Sequence, residues 1–166
     1  MYKKILVPTD GSATATAGLR EAIKLAEEQG AQIRIIHVVD ELVAVSPYIY
    51  GPLFQQMLDQ LRANGESVIA SARALVGKAG ISADSILVKT LGTSAGEHIV
   101  AAAKEWPADL IVCGTHGRRG MGRVAMGSDA EYIVRRSPVP ILLVRATEPV
   151  TRTSESVGSP VARSAA

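Results

Sequence analysis

The sequence predicts a single doubly wound α/β domain, in which helices cover both faces of a parallel β-sheet. Short β-branched apolar runs alternate with longer amphipathic stretches, which is the pattern of strands that are each followed by a helix. The runs Ile5-Leu6-Val7 and Leu110-Ile111-Val112 are apolar at every position, as is typical of strands buried on both faces. Right-handed crossovers between such strands give the doubly wound arrangement.

Five strands are predicted, each a short apolar run rich in β-branched residues. They span Lys4 to Val7, Gln32 to Val39, Ser85 to Thr90, Asp109 to Cys113 and Pro140 to Val144.

Four helices are predicted between the strands. The first carries an apolar face at Leu19, Ala22, Ile23 and Ala26 and ends near Gly30. The second runs from about Leu53 to Val76, and Gly65 in its interior weakens it by up to about 1 kcal/mol. The third begins at Ser94 and the fourth, which extends to Ser137, begins at Ser128. Each of these serines has capping-box spacing to a glutamate, Glu97 and Glu131. We therefore expect Ser128 to be an N-cap whose oxygen accepts from the N–H of Glu131.

Composition bounds the class of protein. A chain of 166 residues with 47% apolar residues suits one domain with a full core. Aromatic residues make up only 4%, and the net charge is +2, so neither base stacking nor a basic nucleic-acid surface is indicated. No apolar run approaches the ~18 residues of a membrane span, and the first residues lack a signal peptide. With Cys113 as the single cysteine, we expect a soluble cytoplasmic protein that binds no nucleic acid and no membrane.

Two segments fall outside the alternating pattern. The residues from Asp40 to Pro52 form a long connection, which is equally consistent with a flap over a site and with a simple loop. Residues 147–166 are rich in Ser, Thr, Pro and Ala without periodicity. We expect them to be a disordered tail that follows a domain of residues 1–146.

The most informative segment is the glycine-rich run from Gly114 to Ser128, between the fourth strand and the fourth helix. Glycines let backbone approach a phosphate closely, and a helix start supplies N–H donors at the positive end of a dipole. The run also contains cationic or titratable side chains and no acidic one; these are His116, Arg118, Arg119 and Arg123. The segment therefore predicts an anion site, and a nucleotide is the favoured anion.

A second loop is expected to face the glycine-rich run. In an open parallel sheet, ligands bind beyond the carboxyl ends of strands, near the point where strand order reverses. The first strand ends in Pro8-Thr9-Asp10-Gly11-Ser12, and the second in Val39-Asp40-Glu41. Asp10 would hold a ribose hydroxyl or a Mg²⁺ ion that bridges phosphates; alternatively, it is a cap or turn residue beside Gly11.

Known phosphate motifs are incomplete here. The residues Gly120 to Ala125 match G-x-G-x-x-A, but they do not directly follow a first strand. The stretch from Gly122 to Ser128 lacks the lysine of a Walker loop. No Ser/His/Asp arrangement, Cys/His arrangement or metal-ligand cluster is apparent, so no catalytic residue is predicted. His37 is expected in the core or at a sheet edge, His98 at the surface and Cys113 as a buried apolar residue.

The chain resembles the nucleotide-binding members of the universal stress protein family over about Tyr2 to Arg145. Their motif is G-x-x-G, nine residues, then G-[S/T]; here it is met by Gly114, Gly117, Gly127 and Ser128. Pro8-Thr9-Asp10 and His37-Val38 also match. The resemblance implies a Rossmann-like five-stranded sheet of order 3-2-1-4-5. It also implies a homodimer through the last strand, Pro140 to Val144.

The resemblance implies roles for individual residues. The main chain at Thr9 and Val38, beside Pro8, would meet adenine, and Asp10 the ribose or metal. Gly114 and Gly117, with His116 between them, would allow approach to ribose and phosphates. Gly127 and Ser128 would bind the outer phosphates through N–H groups and the Ser128 hydroxyl. By their charge rather than by the resemblance, Arg118 and Arg119 would neutralise phosphates, or, as exposed loop arginines, they are simply solvated. Asp129 is expected to point to solvent or to assist Mg²⁺.

The function implied is that of an ATP- and Mg²⁺-binding regulator or sensor of the stress response, with at most slow ATP hydrolysis. The alternative is an interaction scaffold of the same fold that binds no nucleotide. An adenine-nucleotide alpha hydrolase is disfavoured, because the turn after the first strand has one glycine and no basic residue.

Overall fold

The computed structural model describes residues 1–44, 51–115 and 126–146. Five parallel strands form one sheet of order β3-β2-β1-β4-β5, which confirms the predicted fold class and strand order. The strands are β1 (Lys4–Pro8), β2 (Gln32–Asp40), β3 (Ala83–Thr90), β4 (Leu110–Gly114) and β5 (Ile141–Val144). The helices are α1 (Ala13–Gln29), α2 (Pro52–Lys78), α3 (Ala95–Glu105) and α4 (Ser128–Arg136), and a 3₁₀ turn spans Glu41–Ala44.

The central strand β1 sets the geometry of the sheet. It pairs with β2 on one side, with Lys4 opposite Gln32, and with β4 on the other, with Ile5 opposite Leu110. Strand order reverses between β1 and β4, since β2 and β3 follow β1 on one side whereas β4 and β5 lie on the other. Ligand crevices of doubly wound folds lie at such a reversal.

Two cores lie on opposite faces of this sheet, because successive strand side chains point to opposite sides. Ile5 and Val7 pack against α1 and α2 on one face, and Leu6 packs against α3 and α4 on the other. All three are 0% exposed. Burial on both faces explains why the strand is apolar at every position.

The helix ends follow the sequence at α1 and α3. Ser12 accepts from the Ala15 N–H (3.1 Å) at the start of α1, and Gly30 ends that helix with a φ of 63°. Ser94 accepts from the Glu97 N–H (3.3 Å) at the start of α3, as the capping-box spacing predicts. Both serines have extended backbone, which orients the side chain towards the first turn.

The predicted cap of α4 is wrong. The N-cap is Gly127, with extended φ and ψ of −66° and 151°, and no side chain of the described residues caps this end of the helix. The Glu131 N–H donates to the Gly127 carbonyl (2.9 Å), so Ser128 is already inside the first turn. Glu131 does not reach back to the cap either, because its carboxylate pairs with Arg135 (2.8 Å) one turn along the helix.

Gly65 allows α2 to lie close to the sheet. A Cβ at this position would lie 2.7 Å from Val39 Cγ2 and 3.0 Å from Leu87 Cδ1. The glycine that lowers helix propensity is therefore needed for the approach of α2 to β2 and β3.

Side-chain contacts also hold the strands together at their amino ends. The Asp109 carboxylate accepts from the N–H groups of Lys3 (2.7 Å) and Lys4 (3.1 Å), which ties the start of β4 to β1. The centre of the Trp106 ring lies 4.7 Å from the Arg34 guanidinium carbon, and this cation–π contact joins the residue that follows α3 to β2.

Several sequence expectations lie wholly or partly outside the described residues. These are the tail at 147–166, residues 45–50 of the long connection and residues 116–125 of the glycine-rich run. Across the ranges that are described, no helix is long and apolar enough to span a membrane.

Candidate functional site

The candidate site is the crevice beyond the carboxyl ends of β1 and β4. Because these strands are neighbours, the loop after Pro8 and the two ends of the glycine-rich run lie at the same edge of the sheet. Pro8 is the last β1 residue in register with β2, opposite Ile36. This is the juxtaposition that the sequence predicted from strand-end positions.

The loop after β1 is held by its own side chains. Thr9 is 7% exposed, and its Oγ1 accepts from the Gly11 N–H (3.3 Å). Asp10 Oδ1 accepts from the Ser12 N–H (2.9 Å), and Gly11 has a φ of 78°. Asp10 therefore acts as a turn residue beside Gly11, which is the second of the two roles predicted for it. A carboxylate has about four lone-pair sites, so this bond still allows a metal or hydroxyl contact.

The main chain of Thr9 is already engaged. Its N–H donates to the Ile36 carbonyl (2.9 Å), and its carbonyl oxygen lies 2.6 Å from Nδ1 of His37. The resemblance assigns the main chain of Thr9 to adenine; its N–H is used within the fold, whereas its carbonyl retains a second lone pair.

Val38 is placed differently, with its peptide groups towards the crevice. The N–H and C=O of one strand residue point to the same side of the strand, and successive residues alternate sides. The Ile36 carbonyl faces the β1 side, where it accepts from Thr9. Val38, two residues on, faces that same side beyond the end of β1, while β2 continues beside β3 to Asp40.

The two carboxylates at the end of β2 make contacts within the fold. Asp40 Oδ1 accepts from the N–H groups of Leu42 and Gly92, each at 3.0 Å. Glu41 Oε1 accepts from Arg62 Nε (2.8 Å), and this hydrogen bond lowers the pKa of Glu41. These residues anchor the 3₁₀ turn to α2 and to the turn after β3.

The glycine-rich run is closed at its base. The Gly127 N–H donates to the Thr115 carbonyl (3.0 Å), and the Thr115 N–H donates to the Val144 carbonyl (2.9 Å). The expectation that the Gly127 N–H binds phosphate is therefore not met in this structure. His116, Gly117 and Arg118 lie outside the described residues.

The first turn of α4, at the end of the glycine-rich run, supplies backbone N–H groups that can donate hydrogen bonds to a ligand. The helical hydrogen bonds begin at the Glu131 N–H, so the N–H groups of Ser128, Asp129 and Ala130 precede the ladder. Ser128 is exposed, and its hydroxyl is not a cap. These groups lie at the positive end of the helix dipole, where an anion is favoured.

Of the two expectations for Asp129, a side chain that points to solvent is wrong, and assistance to Mg²⁺ stays a prediction. Its Oδ1 accepts from the Gly96 N–H (3.0 Å) in the first turn of α3. A carboxylate is favoured at that helix start by the same dipole effect. A Cβ at Gly96 would lie 2.9 Å from Tyr132 Cβ, so the glycine permits the close approach of α4.

Gly114 serves packing within the fold. A Cβ there would lie 2.9 Å from Thr14 Cγ2, and 3.0 and 3.1 Å from the backbone carbonyl carbon and oxygen of Thr14. The side on which Gly114 lacks an atom is therefore filled by α1. The resemblance predicted instead that the glycine makes room for ribose or phosphate.

His37 makes a contact at the site that the sequence does not predict. The sequence places it in the core or at a sheet edge, but its ring reaches across to the loop after β1. The contact joins residues that are 28 apart in the chain, so it leaves no signal in the local sequence pattern. Cys113, in contrast, is buried as expected, and burial raises the pKa of its thiol to about 11. His98 is partly buried rather than on the surface, and its Nε2 has no hydrogen-bond partner among the described residues.

A cavity of about 200 Å³ lies on the other side of the loop, between α1 and α2. Its polar lining comes from Thr9, Thr16, Ser67 and Ser71, and none of the described residues that line it is charged. The described part of the lining therefore offers hydroxyl groups but no charge partner for phosphate. Over the described ranges, no group of three or more His, Cys, Asp or Glu residues could hold a metal ion by itself.

Comparison with known proteins places the chain in a family. The sequence model of the Universal stress protein family matches residues 1–145. A universal stress protein of Thermus aquaticus is 35% identical over 145 residues, which cover 87% of this chain and 100% of that protein. One from Methanocaldococcus jannaschii is 32% identical over 148 residues, covering 87% of this chain and 83% of that protein.

Solved structures share the fold. The universal stress protein UspA of Lactobacillus plantarum matches with a TM-score of 0.72 at 27% identity, over 87% of this chain and 98% of that chain. Two more distant matches were solved with nucleotides. The protein of Archaeoglobus fulgidus holds dAMP (TM-score 0.62, 20% identity, 86% of this chain and 98% of that one). That of Arabidopsis thaliana holds AMP (TM-score 0.63, 15% identity, 92% and 97%).

We predict that Gly114→Ala destabilises the fold in the absence of any nucleotide. The added Cβ meets backbone atoms of Thr14, which cannot rotate away, so the free energy of unfolding falls by about 1–3 kcal/mol. Urea denaturation followed by circular dichroism measures the change. Gly77→Ala in α2 is the control: with no atom within 4 Å, it should raise stability by about 0.5–1 kcal/mol. Unchanged stability with weakened ATP binding would assign Gly114 to the ligand instead.

Proposed function

Because the chain belongs to the universal stress protein family, we propose that it binds ATP with Mg²⁺ in the crevice over β1 and β4. In this proposal, residues 1–146 form the binding domain, and the protein acts as a nucleotide-dependent regulator or sensor. The observation that carries the proposal is the start of α4. This helix start lacks a side-chain cap although a serine stands in its first turn, and it follows the complete glycine motif.

The phosphates are proposed to lie at this helix start. Ser12 and Ser94 use their hydroxyls to cap α1 and α3, whereas Ser128 leaves its hydroxyl exposed beside the N–H groups of the first turn. These groups donate hydrogen bonds, as an anion requires. His116, Gly117 and Arg118 belong to the proposed phosphate site through their places in the motif.

Adenine is proposed to meet the main chain of Val38. The edge of adenine presents an amino donor beside ring-nitrogen acceptors. A peptide C=O and N–H that face the same side of a strand complement that edge, and those of Val38 face the space beyond the end of β1. Known structures also support an adenine ligand, since two proteins of the same fold hold AMP or dAMP.

Mg²⁺ fits this crevice as a companion of the nucleotide. In proteins it is commonly held by one or two carboxylates together with phosphate oxygens. Asp10 supplies one carboxylate, which is fixed in position by the Ser12 N–H. The described residues contain no group of three or more His, Cys, Asp or Glu residues that could hold a metal ion, so phosphate oxygens and water would complete the coordination of Mg²⁺.

Regulation by occupancy is favoured over rapid hydrolysis. Hydrolysis needs a general base within reach of the attacking water. Asp10 is assigned to the metal, and Asp129 is bound to Gly96 in α3. We propose that any turnover is slow and that the bound nucleotide is the signal.

The competing function is a scaffold that binds no nucleotide. Two observations favour it: the space at Gly114 is filled by Thr14, and the Gly127 N–H is bonded to Thr115. Both show that parts of the glycine motif have uses in the fold. This alternative does not explain why α4 begins at a glycine without a capping side chain, or why the peptide groups of Val38 face the crevice.

A homodimer through β5 is also proposed. This strand is an edge of the sheet, and Leu142 is 38% exposed. Val134 on the neighbouring helix α4 is 44% exposed. An apolar edge strand is normally covered, and the same edge of a second copy would cover it.

For this dimer, we expect Leu142→Lys to give a monomer in sedimentation equilibrium, because the substitution places a charge on the shared edge. Leu53→Lys is the control, since this leucine is 56% exposed but lies on α2 at the opposite side of the sheet. A wild-type monomer, or a Leu142→Lys dimer of unchanged affinity, would exclude the interface.

For the phosphate site, we predict that Ser128→Asp weakens ATP binding without loss of stability. A carboxylate in the first turn of α4 favours the helix by about 0.3–1 kcal/mol but repels phosphate, lowering the affinity about 10- to 100-fold. Calorimetry and urea denaturation measure the two effects. Ser82→Asp adds the same charge at the amino edge of the sheet and should change neither. Unaltered ATP affinity in Ser128→Asp would show that the phosphates do not bind at the start of α4.

For the metal, we predict that Asp10→Asn reduces the effect of Mg²⁺ on ATP affinity. Asparagine keeps an oxygen that accepts from the Ser12 N–H, so the turn survives while the charge is lost. The affinity in Mg²⁺ should fall about tenfold, and the affinity in EDTA by less than about twofold. An equal loss in both conditions would show that Asp10 contacts the nucleotide and not the metal.

A further inference from the structure

The His37 side chain joins β2 to the loop after β1 at the candidate site. Its Nδ1 lies 2.6 Å from the Thr9 carbonyl oxygen, although the residues are 28 apart in sequence. A carbonyl oxygen can only accept, so Nδ1 carries the proton and donates. This fixes the tautomer of the neutral ring, because the hydrogen must be on Nδ1.

The contact fixes one particular peptide group. The Thr9 carbonyl belongs to the peptide that joins Thr9 to Asp10, and a trans peptide is planar. Holding its oxygen therefore sets the plane of the peptide and the direction in which the chain enters Asp10. The Thr9 N–H is bound to Ile36 (2.9 Å), so both sides of Thr9 are restrained against β2.

The ring has a defined seat beneath α2. A Cβ at Gly65 would lie 3.2 Å from His37 Cδ2, so the ring occupies space that this glycine leaves open. His37 thus lies between the backbone of α2 and the loop after β1. Val39, two residues along on the same face of β2, packs at the same glycine.

We propose that His37 is a positioning residue of the nucleotide site. Its Nδ1–H holds the Thr9–Asp10 peptide, which places the Asp10 carboxylate against the crevice that Val38 lines. The inference rests on the proposed nucleotide-binding function for its effect on affinity, but not for its effect on the loop.

A pair of substitutions separates the hydrogen bond from the packing. His37→Asn retains an N–H donor as many bonds from the backbone as Nδ1, whereas His37→Leu has the same reach without a donor. By calorimetry with ATP and Mg²⁺, His37→Leu should bind about tenfold more weakly than the wild type, and His37→Asn within about twofold. Thermal melting of both variants establishes that they fold.

A second measurement reads the loop directly in nucleotide-free protein. The N–H groups of Gly11 and Ser12 are held by Thr9 Oγ1 and Asp10 Oδ1. Their hydrogen exchange, followed by NMR, should be about tenfold faster in His37→Leu and near wild type in His37→Asn. His98→Leu is the matched control: this histidine is also partly buried, and its Nε2 makes no hydrogen bond to any described residue. It should change neither exchange nor affinity.

The outcomes distinguish the two proposals. Wild-type exchange in His37→Leu, or equal acceleration in the leucine and asparagine variants, would overturn the role of the His37 donor. If the wild type binds no ATP, the proposed function fails, and the exchange rates alone decide whether His37 positions the loop. Faster exchange with unchanged ATP affinity would confine His37 to the structure of the loop and overturn its role in binding.

Discussion

The parallel pairing of β1 with both β2 and β4 is the constraint on which the rest of the structure depends. β1 is buried on both faces, and its two neighbours lead to opposite halves of the sheet. Strand order therefore reverses beside it, and the loop after Pro8 meets the ends of the glycine-rich run at one edge. Because β1 stops at Pro8 while β2 continues to Asp40, the peptide groups of Val38 are left facing a crevice.

Glycines determine how closely the other elements approach this frame. Gly65 brings α2 onto β2, Gly96 brings α4 onto α3, and Gly114 brings α1 onto the end of β4. In each case a Cβ would lie within 3.0 Å of a neighbouring atom. A glycine can serve close packing or the approach of a ligand. At Gly114 the structure shows that the glycine serves close packing, because a Cβ there would meet Thr14.

The sequence predicted the fold because periodicity and strand-end chemistry are local signals. The all-apolar runs of β1 and β4 require burial on both faces, and the cap at Ser94 follows from spacing alone. Ser128 has the same spacing, but the glycine before it takes the extended backbone of the cap, and Glu131 pairs with Arg135. The contacts of Asp129 with Gly96 and of His37 with Thr9 join distant parts of the chain. Neither leaves a periodic signal, so both required the three-dimensional arrangement.

The central claim is that the crevice holds an adenine nucleotide, and the most direct measurement is made on the protein as purified. Freshly purified protein is denatured, and any released nucleotide is identified by chromatography, with ATP and Mg²⁺ titrated into the native protein by calorimetry. We expect released adenine nucleotide or saturable binding at about one site per chain, as a single crevice requires. Protein that releases no nucleotide and takes up no ATP would contradict the account and leave the glycine-rich run as a structural element of a scaffold.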